Sequence, residues 1–144
     1  METYLEHANV TVPSIDAAIE FLLTIDPKFT VRRDETPPGS YRWAHVGTQK
    51  SYIALQEPQL DAGENQSRRP YKDHGCNHLA FVVADLDSCV TRLDAKEFKK
   101  SIPAKPHPYR KRAYYFDKSG FEWEMIQYLT ENHEERNSYV DDDK

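Results

Sequence analysis

The sequence predicts an α+β fold made of two similar halves, each of which runs from a strand through a helix to further strands. Residues 7–22 align without a gap with residues 78–93, at a constant offset of 71. Residues 42–55 align in the same order with residues 112–125, at an offset of 70. A chain of 144 residues is long enough for one hydrophobic core shared by two half-size modules. Two aligned blocks in one order make an internal repeat the simplest interpretation.

In the first half, the predicted strand HANVTV precedes a helix over residues 15–25. Ser14 has the side chain of a helix N-cap, the apolar residues that follow recur at helical spacing, and Pro27 helps to end the helix. The extended segments FTVRR, YRWAHVG and SYIALQE come next, separated by the turn TPPGS and the polar TQK. This half therefore predicts one helix and several strands.

The second half repeats this order of elements. HLAFVV is predicted as a strand, Asp85 as the N-cap of a helix over residues 86–98, and DKSG as the turn between the strands RAYYF and FEWEMIQYL. The predicted organisation is a first module at 1–58, a connecting loop at 59–73, a second module at 74–130 and a polar, flexible tail at 131–144.

The composition argues against two classes of partner. With 24 acidic and 19 basic residues the chain has a formal charge of -5, which does not suit a phosphate-backbone binder, so we expect no nucleic-acid partner. No apolar run approaches the roughly 20 residues that span a bilayer, and no N-terminal signal pattern is present. We therefore expect a cytoplasmic protein without a membrane partner. Two cysteines, Cys76 and Cys89, are too few for a disulfide scaffold.

The first predicted strand separates apolar from polar side chains, because strand side chains alternate between faces. Ala8, Val10 and Val12 are expected to pack under the helix. His7 and Asn9 then lie on the opposite face of the sheet. The first histidine is therefore expected outside the core.

The same parity applies to the second half. By the repeat, His78 lies on the face that corresponds to that of His7. In the last strand Trp123 and Met125 are assigned to the helix side, which leaves Glu124 on the other. If the two sheets curl toward each other, His7, His78 and Glu124 can converge. Two imidazoles and one carboxylate are a common ligand set for a divalent transition metal with open positions for substrate.

This arrangement resembles the vicinal oxygen chelate superfamily, which includes glyoxalases, extradiol dioxygenases, fosfomycin-modifying thiol transferases and bleomycin-binding proteins. The resemblance covers roughly residues 4–130, and its most specific pieces are NHLAFVVADLD and FDKSGFEWEMIQ. It implies two paired βαβββ modules that form a cupped mixed sheet around a divalent metal ion, which could be Fe, Mn, Ni, Co or Zn. The implied metal ligands are His7, His78 and Glu124.

The sequence departs from the glyoxalase pattern at one ligand position. The fourth glyoxalase ligand, on the closing strand of the first module, falls on Ala54, which cannot bind a metal. Gln56, two residues further along the same face, is a possible replacement or a substrate contact. Three ligands resemble instead the extradiol dioxygenases and the fosfomycin thiol transferases, and Tyr114 matches a substrate-contacting tyrosine of the latter. The loop IPAKPHPYRKR, however, lacks the potassium loop of that family.

Three further side chains are candidates for contacts with a substrate. Asn9 shares a face with His7, Arg112 would suit a carboxylate or phosphonate, and His107, between two prolines, could act as an acid or a base. His45 aligns with Tyr115 at the offset of 70 and is not assigned as a ligand. No residue is given a catalytic role on the sequence alone.

The resemblance implies a metal-dependent enzyme of glyoxalase or dioxygenase type that acts on a small, oxygen-chelating substrate. A lyase or isomerase, a dioxygenase and a thiol transferase all fit such a site, in which the metal acts as a Lewis acid. The resemblance also implies a homodimer in which modules exchange or pair between chains. The alternative is a metal-free small-molecule binding protein, like the bleomycin-binding members.

Overall fold

Each half of the chain folds into its own four-stranded mixed sheet with one helix packed against it. The computed structural model describes residues 3–62 and 68–139, and the chain divides between Gly75 and Cys76 into two units. The α+β prediction with two modules is confirmed. Three predicted segments lie partly outside the described residues: the first module at 1–2, the connecting loop at 63–67 and the tail at 140–144.

The first unit contains four strands and a helix. Its elements are β1 (His7–Thr11), α1 (Ile15–Ile25), β2 (Thr30–Glu35), β3 (Trp43–Gly47) and β4 (Tyr52–Gln56). The strand order is β1-β4-β3-β2, in which β1 runs parallel to β4 and the other pairs are antiparallel. The opening strand thus lies at the sheet edge, beside the closing strand of its own unit.

The second unit has the same topology. Its elements are β5 (His78–Val82), α2 (Leu86–Ala95), β6 (Lys99–Lys100), β7 (Arg110–Phe116), β8 (Glu122–Tyr128) and α3 (His133–Arg136). The strand order is β5-β8-β7-β6, with β5 parallel to β8. The short α3 lies within the segment that the sequence assigns to the tail, and Arg136 donates a hydrogen bond to the Thr130 carbonyl at 2.7 Å.

Both predicted helix N-caps are confirmed. The Ser14 hydroxyl accepts from the Ala17 N–H at 3.2 Å, and the Asp85 carboxylate accepts from the Ser88 N–H at 3.0 Å. The second helix, however, ends at Ala95 rather than at residue 98. Glu97 has a φ of 58°, so the chain leaves the helix through a left-handed residue at this point.

The core of each unit lies between its helix and one sheet face. Val10 and Val12 are buried as expected, whereas Ala8, on the edge strand, is only partly buried. The predicted core positions Trp123 and Met125 are fully buried. Other residues with no more than 1% exposure are, in the first unit, Ile15, Ala18, Phe21, Leu22, Ile25, Ala44, Val46 and Leu55, and in the second unit, Cys89, Leu93 and Tyr115.

The register of β3 and β7 corrects the sequence alignment by one residue. His45 pairs with Ala54, and Tyr114 pairs with Glu124, so His45 corresponds to Tyr114 and not to Tyr115. The cause is the hairpin loop, which spans 48–51 in the first unit and the longer 117–121 in the second.

A repeated ion pair supports the corrected register. In the first unit Arg42 bonds to Asp16, in the first turn of α1, at 2.8 Å. In the second unit Lys111 bonds to Asp87, in the first turn of α2, also at 2.8 Å. Asp16 and Asp87 correspond in the repeat, and the corrected offset of 69 brings Arg42 onto Lys111. Each helix is therefore tied to its sheet at the same point.

The longer hairpin is organised by Asp117, which is buried. Its carboxylate accepts hydrogen bonds from the Ser119 and Phe121 N–H groups, at 2.9 and 3.1 Å, and from the Trp123 indole at 3.1 Å. These bonds hold the turn to the first residues of β8.

Among the described residues, no helix has the length and apolar character needed to cross a membrane.

Candidate metal centre

His78 and Glu124 meet on one face of the second sheet. His78 opens β5 and Glu124 lies on the adjacent β8, and the His78 Nε2 is 3.1 Å from Glu124 Oε2. The Glu124 side chain is 9% exposed and that of His78 30% exposed. An imidazole nitrogen and a carboxylate oxygen are donors that divalent transition metals prefer. The structure therefore brings two of the three predicted ligands together.

Tyr114 contacts both of these side chains. It lies opposite Glu124 in the β7–β8 register, and its hydroxyl donates a hydrogen bond of 2.7 Å to Glu124 Oε1. Its ring meets the His78 imidazole edge-on, with the ring centroids 5.8 Å apart. One oxygen of Glu124 is thus engaged by Tyr114, and the other faces His78.

Glu122 also contacts this pair, and the sequence reasoning gave it no role. It is 4% exposed, and its Oε2 is 3.9 Å from the Nδ1 of His78. The Ser101 hydroxyl donates a hydrogen bond to its other oxygen, Oε1. Strand alternation already put Glu122 on the face of Glu124. The missing information was the parallel register, which pairs Glu122 directly with His78.

His7 has aromatic neighbours in the first unit. Its ring stacks on Tyr52 with the centroids 4.9 Å apart and the planes 14° from parallel. Its Nδ1 is 2.5 Å from Glu6 Oε2, and its side chain is 43% exposed. The place that corresponds to Glu124 is occupied by the buried Ala54, which pairs with Asn9 in the parallel register.

The aromatic contacts of the first unit continue beyond Tyr52. The His45 ring lies 4.7 Å from that of Tyr52 and 4.9 Å from that of Trp43, and the Arg32 guanidinium lies over Tyr52 at 4.5 Å. Burial lowers the pKa of His45, and the nearby His7 and Arg32 lower it further. These effects favour the neutral form of the His45 imidazole.

Other predicted candidates lie further along these strands. Gln56 is four residues beyond Tyr52, the partner of His7, which is about 13 Å along an extended strand. Arg112 is two residues from Tyr114 on the same face of β7 and is half-buried. Arg112 thus shares a sheet face with Tyr114 and Glu124, and Gln56 lies at the far end of β4 from the partner of His7.

His107 bonds to the backbone through both ring nitrogens. Its Nδ1 accepts from the Tyr109 N–H at 3.2 Å, and its Nε2 is 3.1 Å from the Ser138 carbonyl oxygen. Because Nδ1 accepts, the ring proton is on Nε2 and is donated to Ser138. His107 is buried and connects the loop before β7 to the segment after α3.

Within the second unit, His78 and Glu124 place an imidazole nitrogen and a carboxylate oxygen side by side. Within 3–62 and 68–139, no group of three or more His, Cys, Asp or Glu side chains is arranged to hold a metal ion. The pair His78 and Glu124 has the donor chemistry and the burial that suit a divalent metal, and would supply two of its protein ligands.

Comparison with known families identifies the group to which this chain belongs. The family model described as the Glyoxalase/Bleomycin resistance protein/Dioxygenase superfamily matches residues 4–125. The chain belongs to this superfamily. The resemblance that the two sequence motifs indicated is therefore confirmed. No curated protein sequence matches the chain.

Several solved structures of this superfamily have the same fold. A glyoxalase family protein from Bacillus cereus is 18% identical, covers 90% of this chain and 97% of its own, and has a TM-score of 0.72. The trypanothione-dependent glyoxalase I of Leishmania major is 17% identical over 88% of this chain and 87% of its own, with a TM-score of 0.63. The fosfomycin resistance protein FosX from Listeria monocytogenes, complexed with Mn(II) and sulfate, is 17% identical over 96% and 100%, with a TM-score of 0.64.

Proposed function

We propose that this chain is a metal-dependent enzyme of the vicinal oxygen chelate type, with His7, His78 and Glu124 as the protein ligands of a divalent metal. The observation that carries the proposal is the approach of His78 Nε2 to Glu124 Oε2, at 3.1 Å on one sheet face. The substrate would be a small molecule that chelates through two adjacent oxygens, as in the superfamily.

The burial of Glu124 supports a cation at this place. A carboxylate that is 9% exposed is costly to bury unless positive charge or hydrogen bonds compensate it. Tyr114 supplies one hydrogen bond to Oε1. A metal ion beside Oε2 would supply the compensating charge and would act as a Lewis acid on substrate oxygens.

His7 enters the proposal through the repeat. It opens β1 as His78 opens β5, and each strand pairs in parallel with the closing strand of its own unit. Ala54 stands where a fourth ligand would be and has no donor atom, so the proposed set has three protein ligands. Such a set leaves open positions for substrate and suits Fe, Mn, Ni, Co or Zn. A homodimer belongs to the same proposal and rests on the superfamily resemblance alone.

Residues of the second sheet would position the substrate. Tyr114 holds Glu124 through its hydroxyl, and Arg112 lies on the same face, two residues away. A guanidinium in this place would favour a carboxylate or phosphonate group on the substrate. A mutant of FosX was solved with Mn(II) and 1S,2S-dihydroxypropylphosphonic acid, which is a ligand of this chemical kind.

A metal-free binding protein is the second candidate, and the first unit favours it. His7, Tyr52, His45 and Trp43 form a continuous row of ring contacts, with Arg32 over Tyr52. Such a row could stack against a planar ligand without any metal. In this candidate, His78 and Glu124 would satisfy each other by direct interaction.

Metal content separates the two candidates. Untagged protein purified without chelator would be measured by inductively coupled plasma mass spectrometry, beside His78→Ala and Glu124→Ala. We expect near-stoichiometric transition metal in the unaltered protein and its loss in both variants. His133→Ala removes an exposed histidine of α3 and is the matched control, which should keep the metal. Absence of metal from the unaltered protein, with none taken up on reconstitution, would support the binding protein.

A further inference from the structure

Both candidate histidines have a carboxylate oxygen within 4 Å of the same ring atom. The Nδ1 of His78 is 3.9 Å from Glu122 Oε2, and the Nδ1 of His7 is 2.5 Å from Glu6 Oε2. In each case the carboxylate is on the Nδ1 side, and in His78 the Nε2 is the atom that faces Glu124.

The two carboxylates come from positions that do not correspond in the repeat. Glu6 precedes β1, and the place that corresponds to Glu122 in the first unit is occupied by Tyr52. Tyr52 stacks on His7, whereas Glu122 approaches His78 through its carboxylate. The shared Nδ1 contact is therefore not explained by the repeat itself.

We propose that Glu122 and Glu6 are positioning residues that hold the Nδ1 side of His78 and His7, so that each imidazole presents Nε2 to the metal. This inference rests on the proposed function, because it assigns the second layer of the same metal centre.

The physical reason lies in the single proton of a neutral imidazole. A metal ion binds the ring nitrogen that lacks the proton, so binding at Nε2 requires the proton on Nδ1. An ionised carboxylate only accepts hydrogen bonds, and within hydrogen-bond distance of Nδ1 it favours this tautomer and orients the ring. Glu6 Oε2 is at that distance from His7, and Glu122 Oε2, at 3.9 Å from His78, would reach it by a small shift of the side chain. For His78 a competing carboxylate, Glu124, lies at 3.1 Å from Nε2, so the acceptor on the Nδ1 side is needed to move the proton.

The surroundings of Glu122 suit such a role. Its side chain is 3% exposed, and Ser101 donates to Oε1 while Oε2 is turned to His78. Its backbone is fixed by the ladders on both sides of β8, where it pairs with His78 and with Phe116. Glu6 is 54% exposed, so solvent screens its charge and its effect should be smaller.

Binding of Co(II) to the metal-free protein tests the inference, with affinity measured by isothermal titration calorimetry and the ligand set by the visible absorption of the bound ion. In Glu122→Gln we expect the dissociation constant to rise about 10- to 100-fold, with the absorption bands unmoved. In Glu6→Gln we expect a smaller rise. Glu134→Gln removes an exposed carboxylate of α3 and should bind as the unaltered protein does.

Ser101→Ala is the second variant, since it leaves the carboxylate of Glu122 in place and removes only its hydrogen-bond donor. We expect a rise in the dissociation constant between those of the unaltered protein and Glu122→Gln. Unchanged affinity in a folded Glu122→Gln or in Ser101→Ala would overturn the positioning role. Complete loss of Co(II) with Glu122→Gln, as with His78→Ala, would instead make Glu122 a ligand. Failure of the unaltered protein to bind Co(II) would overturn the proposed function itself.

Discussion

Tyr114 is the residue through which the sheet holds Glu124. Its hydroxyl bonds to Oε1 at 2.7 Å, and its ring lies against His78, so one side chain orients both proposed ligands. A hydrogen bond to a charged group contributes about 1.5–3 kcal/mol. Fixing Glu124 in this way keeps Oε2 directed toward His78.

Removal of this hydroxyl should weaken metal binding without removing it. In Tyr114→Phe we expect about tenfold lower metal affinity, because the ring contact remains while the outer hydrogen bond to the ligand is lost. Calorimetric titration of the metal-free protein measures the change. Tyr128→Phe is the control and should leave the metal affinity unchanged. Tyr128 is on the same face of β8 as Glu124, but its ring contacts Arg136. Equal affinities in both variants would show that the Tyr114 bond does not support the site.

Residue by residue, the sequence predicts part of the candidate site. His78, Glu124 and Tyr114 were named from strand parity and from the resemblance, and the structure brings them together. Glu122 was given no role because alternation shows which face a side chain takes, whereas the strand register decides which neighbour it meets. The assignment of His7 and Glu124 to one metal remains a prediction.

At the scale of elements, Glu97 explains why α2 ends before residue 98. The Phe98 N–H bonds to the Leu93 carbonyl at 3.1 Å, and the Glu97 N–H bonds to the Asp94 carbonyl at 3.0 Å. This is a Schellman motif with glutamate in the left-handed position that glycine usually takes. No stop signal for the helix is visible in the sequence here, because the residue in the left-handed position is not glycine.

Glycine at this position should stabilise the second unit. In Glu97→Gly we expect a gain of about 0.5–1 kcal/mol, because relief of the left-handed strain exceeds the added chain entropy of the unfolded state. Urea denaturation measures the difference. Glu97→Ala is the matched control and should give no gain, because alanine shares the same backbone penalty. A lower denaturation midpoint for Glu97→Gly would contradict this explanation.

Arg42 joins two elements of the first unit. Its ion pairs should make the stability of that unit depend on pH in the acid range. Its guanidinium bonds to Asp34 on β2 and to Asp16 on α1, and these hydrogen bonds lower the pKa of both carboxyls. Carboxyls with a lowered pKa stabilise the fold above their unfolded value of about 3.9. That contribution is lost as the pH falls through their folded value.

Replacement of Arg42 should therefore reduce this pH dependence. In Arg42→Met we expect a lower melting temperature at pH 7 and a smaller further decrease between about pH 5 and pH 2.5 than in the unaltered protein. Thermal unfolding followed by circular dichroism across this range measures both. Lys28→Met removes an exposed charge in the same unit and should retain the full acid dependence. Parallel pH curves for Arg42→Met and the unaltered protein would refute the linkage.

For the whole molecule, metal binding should raise stability by mass action. A ligand that binds only the folded state at 100 times its dissociation constant stabilises that state by about 2.7 kcal/mol. We expect the bound metal to raise the melting temperature by several degrees, and His78→Ala to abolish the rise. Differential scanning fluorimetry with and without metal measures it, and an equal rise in His78→Ala would place the binding elsewhere.

The internal repeat is the reason that the fold was predictable from one sequence. Both halves show the same succession of strand, helix and strands, and both helix starts carry side chains that cap them. The alignment still missed one residue between β3 and β7, because the longer hairpin follows β7 and gapless pairing conceals it. The sequence pattern thus predicts the order of the elements. Their register is seen only in the hydrogen-bonded strand pairs of the structure.

The hairpin held by Asp117 also constrains how this sequence can change during evolution. A one-residue deletion within 117–121 that shifted β8 in its pairing would exchange its two faces, since side chains alternate. Glu122 and Glu124 would then turn toward the helix, and Trp123 and Met125 would turn toward the face that carries His78. An insertion or deletion at this tight turn would therefore damage the core and the proposed metal centre together, whereas the loop at 101–109 can change length without moving β8 against β5.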